Sequence, residues 1–89
     1  MAKLIVHHKV QDYSAWRKVF DETKPDRTQF GSTGDQVFRS ASDPNEITVL
    51  TDWPSIDAAK AFAASAQLKE AMKNAGVLSQ PDVKFLNEA

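Results

Sequence analysis

Residues 3–10, from Lys3 to Val10, are rich in β-branched and apolar side chains, which predicts a strand, and alternate positions of a strand form two different faces. One face carries Leu4, Val6, His8 and Val10, and the other carries Ile5, His7 and Lys9. The first face is apolar enough to rest on a helix. The second is amphipathic, which suits a surface that is covered but not dry.

Helical spacing follows this strand. Trp16, Val19, Phe20 and Thr23 lie at i, i+3, i+4 and i+7, which predicts a core-facing stripe. Asp12 is placed to cap a helix from about Tyr13 to Lys24, because its carboxylate can accept the first free backbone N–H groups. Pro25 ends the predicted helix, since the residue before a proline is pushed out of helical geometry. Residues 26–35 are then predicted to be a connection.

A β-hairpin is the strongest local signal. Asp43-Pro44-Asn45-Glu46 has the composition of a tight turn, with proline at its second position and asparagine at its third. Strands are predicted on either side, from about Asp35 to Ala41 and from Ile47 to Trp53. If Pro44 and Asn45 are a two-residue loop, Phe38 pairs with Thr51.

The second half of the chain predicts another helix and a last strand. Ser55 is an N-cap, and Ser65 interrupts the apolar stripe and caps its continuation. Gly76 stands just past the periodicity, where a left-handed residue closes a helix. Pro81 opens a strand from Asp82 to Asn87.

Composition limits what this domain can be. With 89 residues the chain makes a single domain, 1–89, that buries a modest share of its surface. The absence of cysteine removes disulfides and thiolate metal sites, so oligomerisation is the expected source of extra stability. Eleven basic and twelve acidic residues, without a basic run, give no nucleic-acid footprint. No segment is apolar enough for a membrane, and a cytoplasmic location is expected.

The predicted element order, β-α-β-β-α-β, is that of an α+β, ferredoxin-like domain. Right-handed crossovers then give a four-stranded antiparallel sheet with two helices on one face. The other face keeps apolar groups that no helix can cover, and a two-fold homodimer is the simplest way to bury them.

The residues also resemble a family, the dimeric α+β barrel superfamily, which includes the antibiotic-biosynthesis monooxygenase-like proteins. The similar segments are His8-Lys9-Val10, Asp12-Tyr13-Ser14-Ala15-Trp16, Val37-Phe38-Arg39, Asp43-Pro44-Asn45-Glu46, Ala61-Phe62-Ala63-Ala64-Ser65, Leu68-Lys69-Glu70-Ala71-Met72 and Ala75-Gly76-Val77. The resemblance implies a dimeric α+β barrel, a homodimer whose two sheets face each other around an interior pocket. It implies less about chemistry, because the superfold hosts cofactor-free oxygenases, haem degraders, cyclases, isomerases and dehalogenating lyases.

The chain departs from the enzymes of this superfamily in its candidate residues. The cofactor-free oxygenases use an Asn–Trp–Tyr type of constellation, and the haem degraders use a histidine on a helix. Here both histidines lie on the first strand, the sole tyrosine opens the first helix, and Asn45 lies in a turn where it should be exposed. None of those roles is carried over, and no cofactor is predicted.

One of the two histidines, His7 or His8, is the candidate catalytic acid/base, because an imidazole can take a proton from a bound phenol or enol. The two point to opposite faces. His7 shares a face with Lys9 and is the better candidate if that face is the dimer side, whereas His8 serves if the faces are inverted. The plain alternative for each is a satisfied structural histidine, and neighbouring strand positions make a poor metal pair, so no metal is predicted.

The other candidates are predicted to bind substrate. Arg39 and Asp52 share a face in the assumed register, where they form either an ion pair or an anchor for a ligand oxygen. Trp53 ends a strand, where a pocket mouth is plausible, and Tyr13 carries a hydroxyl that needs a partner if buried.

Two functions follow from these residues. The first is a cofactor-independent monooxygenase, cyclase or isomerase acting on a small, mostly apolar substrate. The alternative is a non-catalytic ligand-binding or stress-related dimer. The expected partners in both cases are a second copy of the chain and a small-molecule ligand. A cavity of about 300 Å³ or more around a histidine favours catalysis, and a pocket closed by side chains favours the alternative.

Overall fold

The computed structural model describes residues 2–78 and 80–89. Along the chain lie β1 (Ala2–Lys9), α1 (Tyr13–Glu22), α2 (Lys24–Gln29), β2 (Gly34–Arg39), β3 (Glu46–Trp53), α3 (Ile56–Ala63), α4 (Ala66–Asn74) and β4 (Asp82–Asn87). The strands form one antiparallel sheet in the order β2-β3-β1-β4. The predicted ferredoxin-like fold is confirmed.

The three predicted helix N-caps are confirmed by their hydrogen bonds. Asp12, Ser55 and Ser65 each accept the backbone N–H of the residue three positions on. The Ser65 hydroxyl also donates to the Phe62 carbonyl oxygen at 2.6 Å, which joins the end of α3 to the start of α4. Gly76 follows α4 with φ +76°, a left-handed conformation that glycine adopts without a steric penalty.

The prediction for residues 13–35 was wrong in one respect. The segment from Tyr13 to Lys24 is not one helix, because α1 ends at Glu22, and residues 26–35 are not all connection, because α2 begins at Lys24. Pro25 lies in the first turn of α2. Proline has no N–H to lose there and its fixed φ suits a helix start, so Pro25 favours the start of α2, and Lys24 before it is helical.

The predicted pairing of the hairpin was also wrong. The Ser40 N–H donates to the Glu46 carbonyl oxygen at 2.9 Å, so residues 41–45 form the loop in place of a two-residue turn. Arg39 therefore pairs with Ile47, and Phe38 does not pair with Thr51. The register differs from the predicted one by three residues. An odd shift exchanges the faces of one strand relative to the other.

The helices cover one face of the sheet, called the helix-side face below. On β1 and β3 it carries Ala2, Leu4, Val6, His8, Ile47, Val49, Thr51 and Trp53, all buried. The opposite face, called the open face, is covered by neither pair of helices. It carries Lys3, Ile5, His7, Lys9, Gln36, Phe38, Glu46, Thr48, Leu50, Asp52, Lys84 and Leu86. In the described residues, no helix is both long and apolar enough to cross a membrane.

Candidate functional site

A cavity lies between the helix-side face and the helices that cover it. It measures about 70 Å³ and its wall is almost entirely apolar. The polar side chains among its lining residues are those of His8, Thr23, Asp26, Arg27, Thr51 and Gln67; the apolar ones are Leu4, Val6, Trp16, Val19, Phe20, Val49, Phe62, Leu68, Ala71, Met72 and Ala75. It is therefore an apolar cavity with a few polar groups, which is the usual composition of a small-molecule site.

An open groove of about 520 Å³ continues this cavity between α1 and α4. The residues that line both are Val19, Thr23, Asp26, Gln67 and Ala71. The enclosed part alone is smaller than the roughly 300 Å³ of a typical ligand pocket. A larger ligand would extend from the cavity into the groove, past the side chains of Glu22 and Glu70.

His8 reaches the cavity because it occupies an even position of β1, the same side as Leu4 and Val6. Its side chain is 4% exposed, and its ring meets that of Trp16 edge-on with centroids 5.9 Å apart. Neither ring nitrogen has a hydrogen-bond partner within residues 2–78 and 80–89. Buried polar atoms are normally paired, so two unpaired nitrogens on a residue that lines an apolar cavity mark a place where a ligand can bind.

Burial fixes the charge state of this histidine. Desolvation, with a smaller contribution from neighbouring His7, lowers the pKa of His8 from its usual 6.5 to about 4. The imidazole is neutral at physiological pH, so one nitrogen donates and the other accepts a hydrogen bond. Both functions are available to a ligand.

Arg27 is the second polar group of the cavity. It is 5% exposed, and its guanidinium lies 3.8 Å above the centroid of the Phe20 ring. Its Nη1 donates to the Phe20 carbonyl oxygen at 3.0 Å and to the Thr23 hydroxyl at 3.1 Å. Nε and Nη2 have no hydrogen-bond partner among the described residues. Asp35 lies 3.7 Å from Nη2, close enough to balance charge but too far for a hydrogen bond.

The sequence placed Arg27 in the connection of residues 26–35, where it could cover a cavity entrance, but it was not predicted as a site residue because loop arginines are usually solvated. A signal was present in Thr23-Lys24-Pro25-Asp26, since proline and an acidic residue are typical of a first helical turn. Burial of the Arg27 guanidinium lowers its pKa, and the Asp35 carboxylate opposes this. The side chain stays charged, as arginine does in proteins.

Three of the predicted site residues lie on the open face, away from the cavity. Nδ1 of His7 lies 2.8 Å from the Thr48 hydroxyl, and its Nε2 lies 3.1 Å from a Glu46 carboxylate oxygen. Lys9 forms an ion pair with Asp43, and Asp52 forms one with Lys3. These polar groups satisfy each other, which is the structural alternative for His7.

Arg39 and Asp52 do not share a face, so the predicted pairing between them was wrong. The five-residue loop puts Arg39 on the helix-side face, where its guanidinium lies 3.9 Å above the Tyr13 ring and its Nε donates to the Pro44 carbonyl oxygen. Asn45, expected to be exposed, is half-buried, and its side-chain oxygen accepts the Tyr13 N–H at 2.9 Å. Neither Arg39 nor Tyr13 lines the cavity.

Trp53 is not at a pocket mouth. Its side chain is fully buried, and it packs against Phe62 with ring centroids 5.1 Å apart. Its indole N–H donates to the Thr51 hydroxyl at 2.7 Å. The end of a central strand is buried here because α3 lies over it, so Trp53 belongs to the core.

The pKa of His8 predicts how stability depends on pH. Below pH 6.5 the unfolded chain binds a proton at His8, whereas the folded protein does so only near pH 4. The free energy of unfolding should fall by at most about 3 kcal/mol as the pH drops through this window, and be fully retained above it. Urea unfolding of the wild type and of His8→Phe over this range measures the difference.

The matched control is the neighbouring histidine. His7→Gln should still show most of the fall in the free energy of unfolding at low pH, because His8 and the burial that chiefly lowers its pKa are retained. Equal slopes for the wild type and His8→Phe would show that His8 is not held neutral by the fold.

The sequence and the fold are similar to those of known proteins. Residues 8–74 match the family model described as antibiotic biosynthesis monooxygenase. No curated protein matches the chain in sequence.

Several solved structures share the fold along nearly the whole chain. One is assigned as an antibiotic biosynthesis monooxygenase from Bordetella bronchiseptica, with 21% identity, 99% of this chain and 96% of that chain covered, and a TM-score of 0.84. Another, from Caulobacter crescentus, has 21% identity, covers 99% and 89%, and has a TM-score of 0.78. SnoaB, a cofactor-independent oxygenase from Streptomyces nogalater, has 16% identity, covers 98% and 91%, and has a TM-score of 0.76. At these identities the likeness establishes the fold.

Proposed function

Because the chain belongs to the antibiotic biosynthesis monooxygenase family, we propose that it is a cofactor-independent oxygenase acting on a small, mostly apolar molecule. The observation that carries the proposal is the neutral imidazole of His8 in an apolar cavity, where its nitrogens have no partner among the described residues. SnoaB, which shares the fold, is a cofactor-independent oxygenase. Such a reaction needs a proton acceptor in an apolar site. His8 in the cavity meets both requirements.

His8 is the proposed proton acceptor. It takes a proton from a phenol, an enol or the carbon next to a carbonyl, and the substrate becomes an electron-rich anion. A carbon of that anion bonds to dioxygen, and the imidazolium returns the proton to give a hydroperoxide. Loss of water leaves a carbonyl group. Without dioxygen, the same proton transfer produces an isomerisation or a ring closure.

The test is a screen of phenols, enols and activated ketones with the purified wild-type protein and no added cofactor. Dioxygen uptake is followed with an electrode, and hydrogen exchange in deuterated water under argon reports proton abstraction alone. Uptake with a subset of compounds is expected. Compounds that bind the cavity while none exchanges hydrogen or consumes dioxygen would overturn the proposal.

The small enclosed volume favours a second candidate, a non-catalytic ligand-binding or stress-related protein. In that case a freshly purified sample should carry a retained small molecule, detectable in a native mass spectrum. The molecule should be unchanged after long incubation in air. For the oxygenase, a bound substrate should instead be converted.

The open face supports a homodimer. Ile5 and Leu50 are paired neighbours at its centre, and Phe38 at its edge is 52% exposed. Ion pairs such as that between Lys3 and Asp52 surround these apolar groups. An apolar centre with a polar rim is the usual anatomy of an interface between subunits. Two copies packed by their open faces would form the barrel, with the cavities on the outer sides of the sheets.

Leu50→Lys should therefore separate the dimer. A two-fold axis places the substitution in the interface twice, so the dissociation constant should rise by about a hundredfold or more. Sedimentation of the wild type and the variant over a range of concentrations measures it, and Ala61→Lys on the exposed side of α3 is the control. A wild type with a monomeric mass and a melting temperature independent of concentration would exclude the dimer.

A further inference from the structure

We infer that the Nε and Nη2 edge of Arg27 binds the carbonyl oxygen of an uncharged ligand. The chemical class of this ligand rests on the proposed function, but the geometry of the binding edge does not. Arg27 lines the cavity, is 5% exposed, and holds Nε and Nη2 without hydrogen-bond partners among the described residues. Buried guanidinium donors are rarely left unpaired in proteins. Because Arg27 lines the cavity, a ligand oxygen bound there can supply the missing acceptor.

The two free donors belong to one edge of the guanidinium. The N–H groups of Nε and Nη2 point the same way, so one or two oxygens placed before that edge accept from both. The rest of the group is held in place. Nη1 is used on the Phe20 carbonyl oxygen and the Thr23 hydroxyl, and the plane rests on the Phe20 ring. A preorganised edge of this kind binds without first losing side-chain entropy.

The surrounding charges select against an anion. Asp35 lies 3.7 Å from Nη2 and already balances the guanidinium. Asp26 lines both the cavity and the groove, and Glu22 and Glu70 line the groove outside. A carboxylate ligand would approach three carboxylates and find the arginine already compensated. A neutral carbonyl accepts the same hydrogen bonds without that repulsion.

The apolar wall and His8 further define the chemical class of the ligand. Apart from six polar side chains the lining is aliphatic and aromatic, so the ligand is a compact ketone, ester or quinone with an apolar remainder. If His8 removes a proton next to that carbonyl, negative charge develops on the oxygen held by Arg27. A donor aimed at charge that appears only during the reaction contributes to the rate as well as to binding.

The experiment compares three probes of similar size: acetophenone, benzoate and ethylbenzene. Binding to the full-length wild-type protein is measured under argon by NMR titration, following the Arg27 Nε–H resonance. Acetophenone should bind about tenfold or more tightly than either of the others and shift that resonance. Arg27→Met should remove this preference and leave the affinity for ethylbenzene unchanged.

Two further variants keep the result interpretable. If Arg27→Met does not fold, Arg27→Lys, which keeps the charge but loses the edge, should lower the affinity for acetophenone by a similar factor. His8→Phe should still bind acetophenone through Arg27 while turnover of a substrate is lost, so intact binding with undiminished turnover would count against the proposed oxygenase only. Benzoate binding more tightly than acetophenone, or equal acetophenone affinities in the wild type and the Arg27 variant, would overturn the inference.

Discussion

Replacement of His8 by phenylalanine is expected to lower the rate of hydrogen exchange and of dioxygen uptake by about 10²- to 10⁴-fold, the usual contribution of a positioned acid or base. Phenylalanine keeps the ring shape against Trp16 and removes the two nitrogens that have no partner among the described residues. The affinity for substrate should change far less than the rate, because the apolar wall supplies most of the contact. Steady-state and single-turnover rates on a substrate found in the screen separate the two effects.

His7→Gln is the matched control for this prediction. The two histidines are adjacent in β1, but His7 lies on the open face with Thr48 and Glu46 as partners. Its replacement should leave the rate within about a factor of a few, as for other substitutions outside the site. A large loss of rate with His7→Gln, together with a normal rate for His8→Phe, would move the chemistry to the other face of the sheet.

Trp53→Ala should cost about 3–5 kcal/mol of unfolding free energy, the range for removing a large aromatic side chain from a core. Trp53 is completely buried and packs on Phe62 in the cluster that also holds Leu4. For a domain of 89 residues this is a large part of the total stability. Urea unfolding at a fixed protein concentration measures the loss.

Trp53→Phe separates packing from hydrogen bonding. It keeps an aromatic ring against Phe62 but removes the N–H that donates to the Thr51 hydroxyl. The expected cost is about 1–3 kcal/mol, below that of Trp53→Ala, from the lost volume and from a buried hydroxyl with one partner fewer. A loss under about 1 kcal/mol for Trp53→Ala would mean that this end of the sheet is not packed as described.

The fold was predictable because its signals are local. Capping at Asp12, Ser55 and Ser65, the left-handed Gly76, and the alternation along β1 each depend on a few neighbouring residues. The resemblance along the chain pointed to the same architecture, and the family match confirms it. Agreement between local preferences and the global fold is what makes an element order readable from one sequence.

The site was less predictable because it depends on contacts between distant residues. A loop of five residues in place of two moved Arg39 to the other face from Asp52, and no feature within Asp43-Pro44-Asn45-Glu46 distinguishes the two loops. The burial of Arg27 follows from how α2 lies against the sheet. Only the alternation of β1 placed His8 on the side of Leu4 and Val6, where the structure puts the cavity.

The location of the site is tested most directly by a crystal structure of the wild-type protein grown with acetophenone. The ligand is expected between the sheet and the helices, beside His8, with its oxygen within hydrogen-bond distance of Nε or Nη2 of Arg27. The ring should lie against the apolar wall that includes Leu68 and Met72. Ligand bound on the open face beside His7 and Lys9, with the cavity filled by side chains, would contradict the assignment.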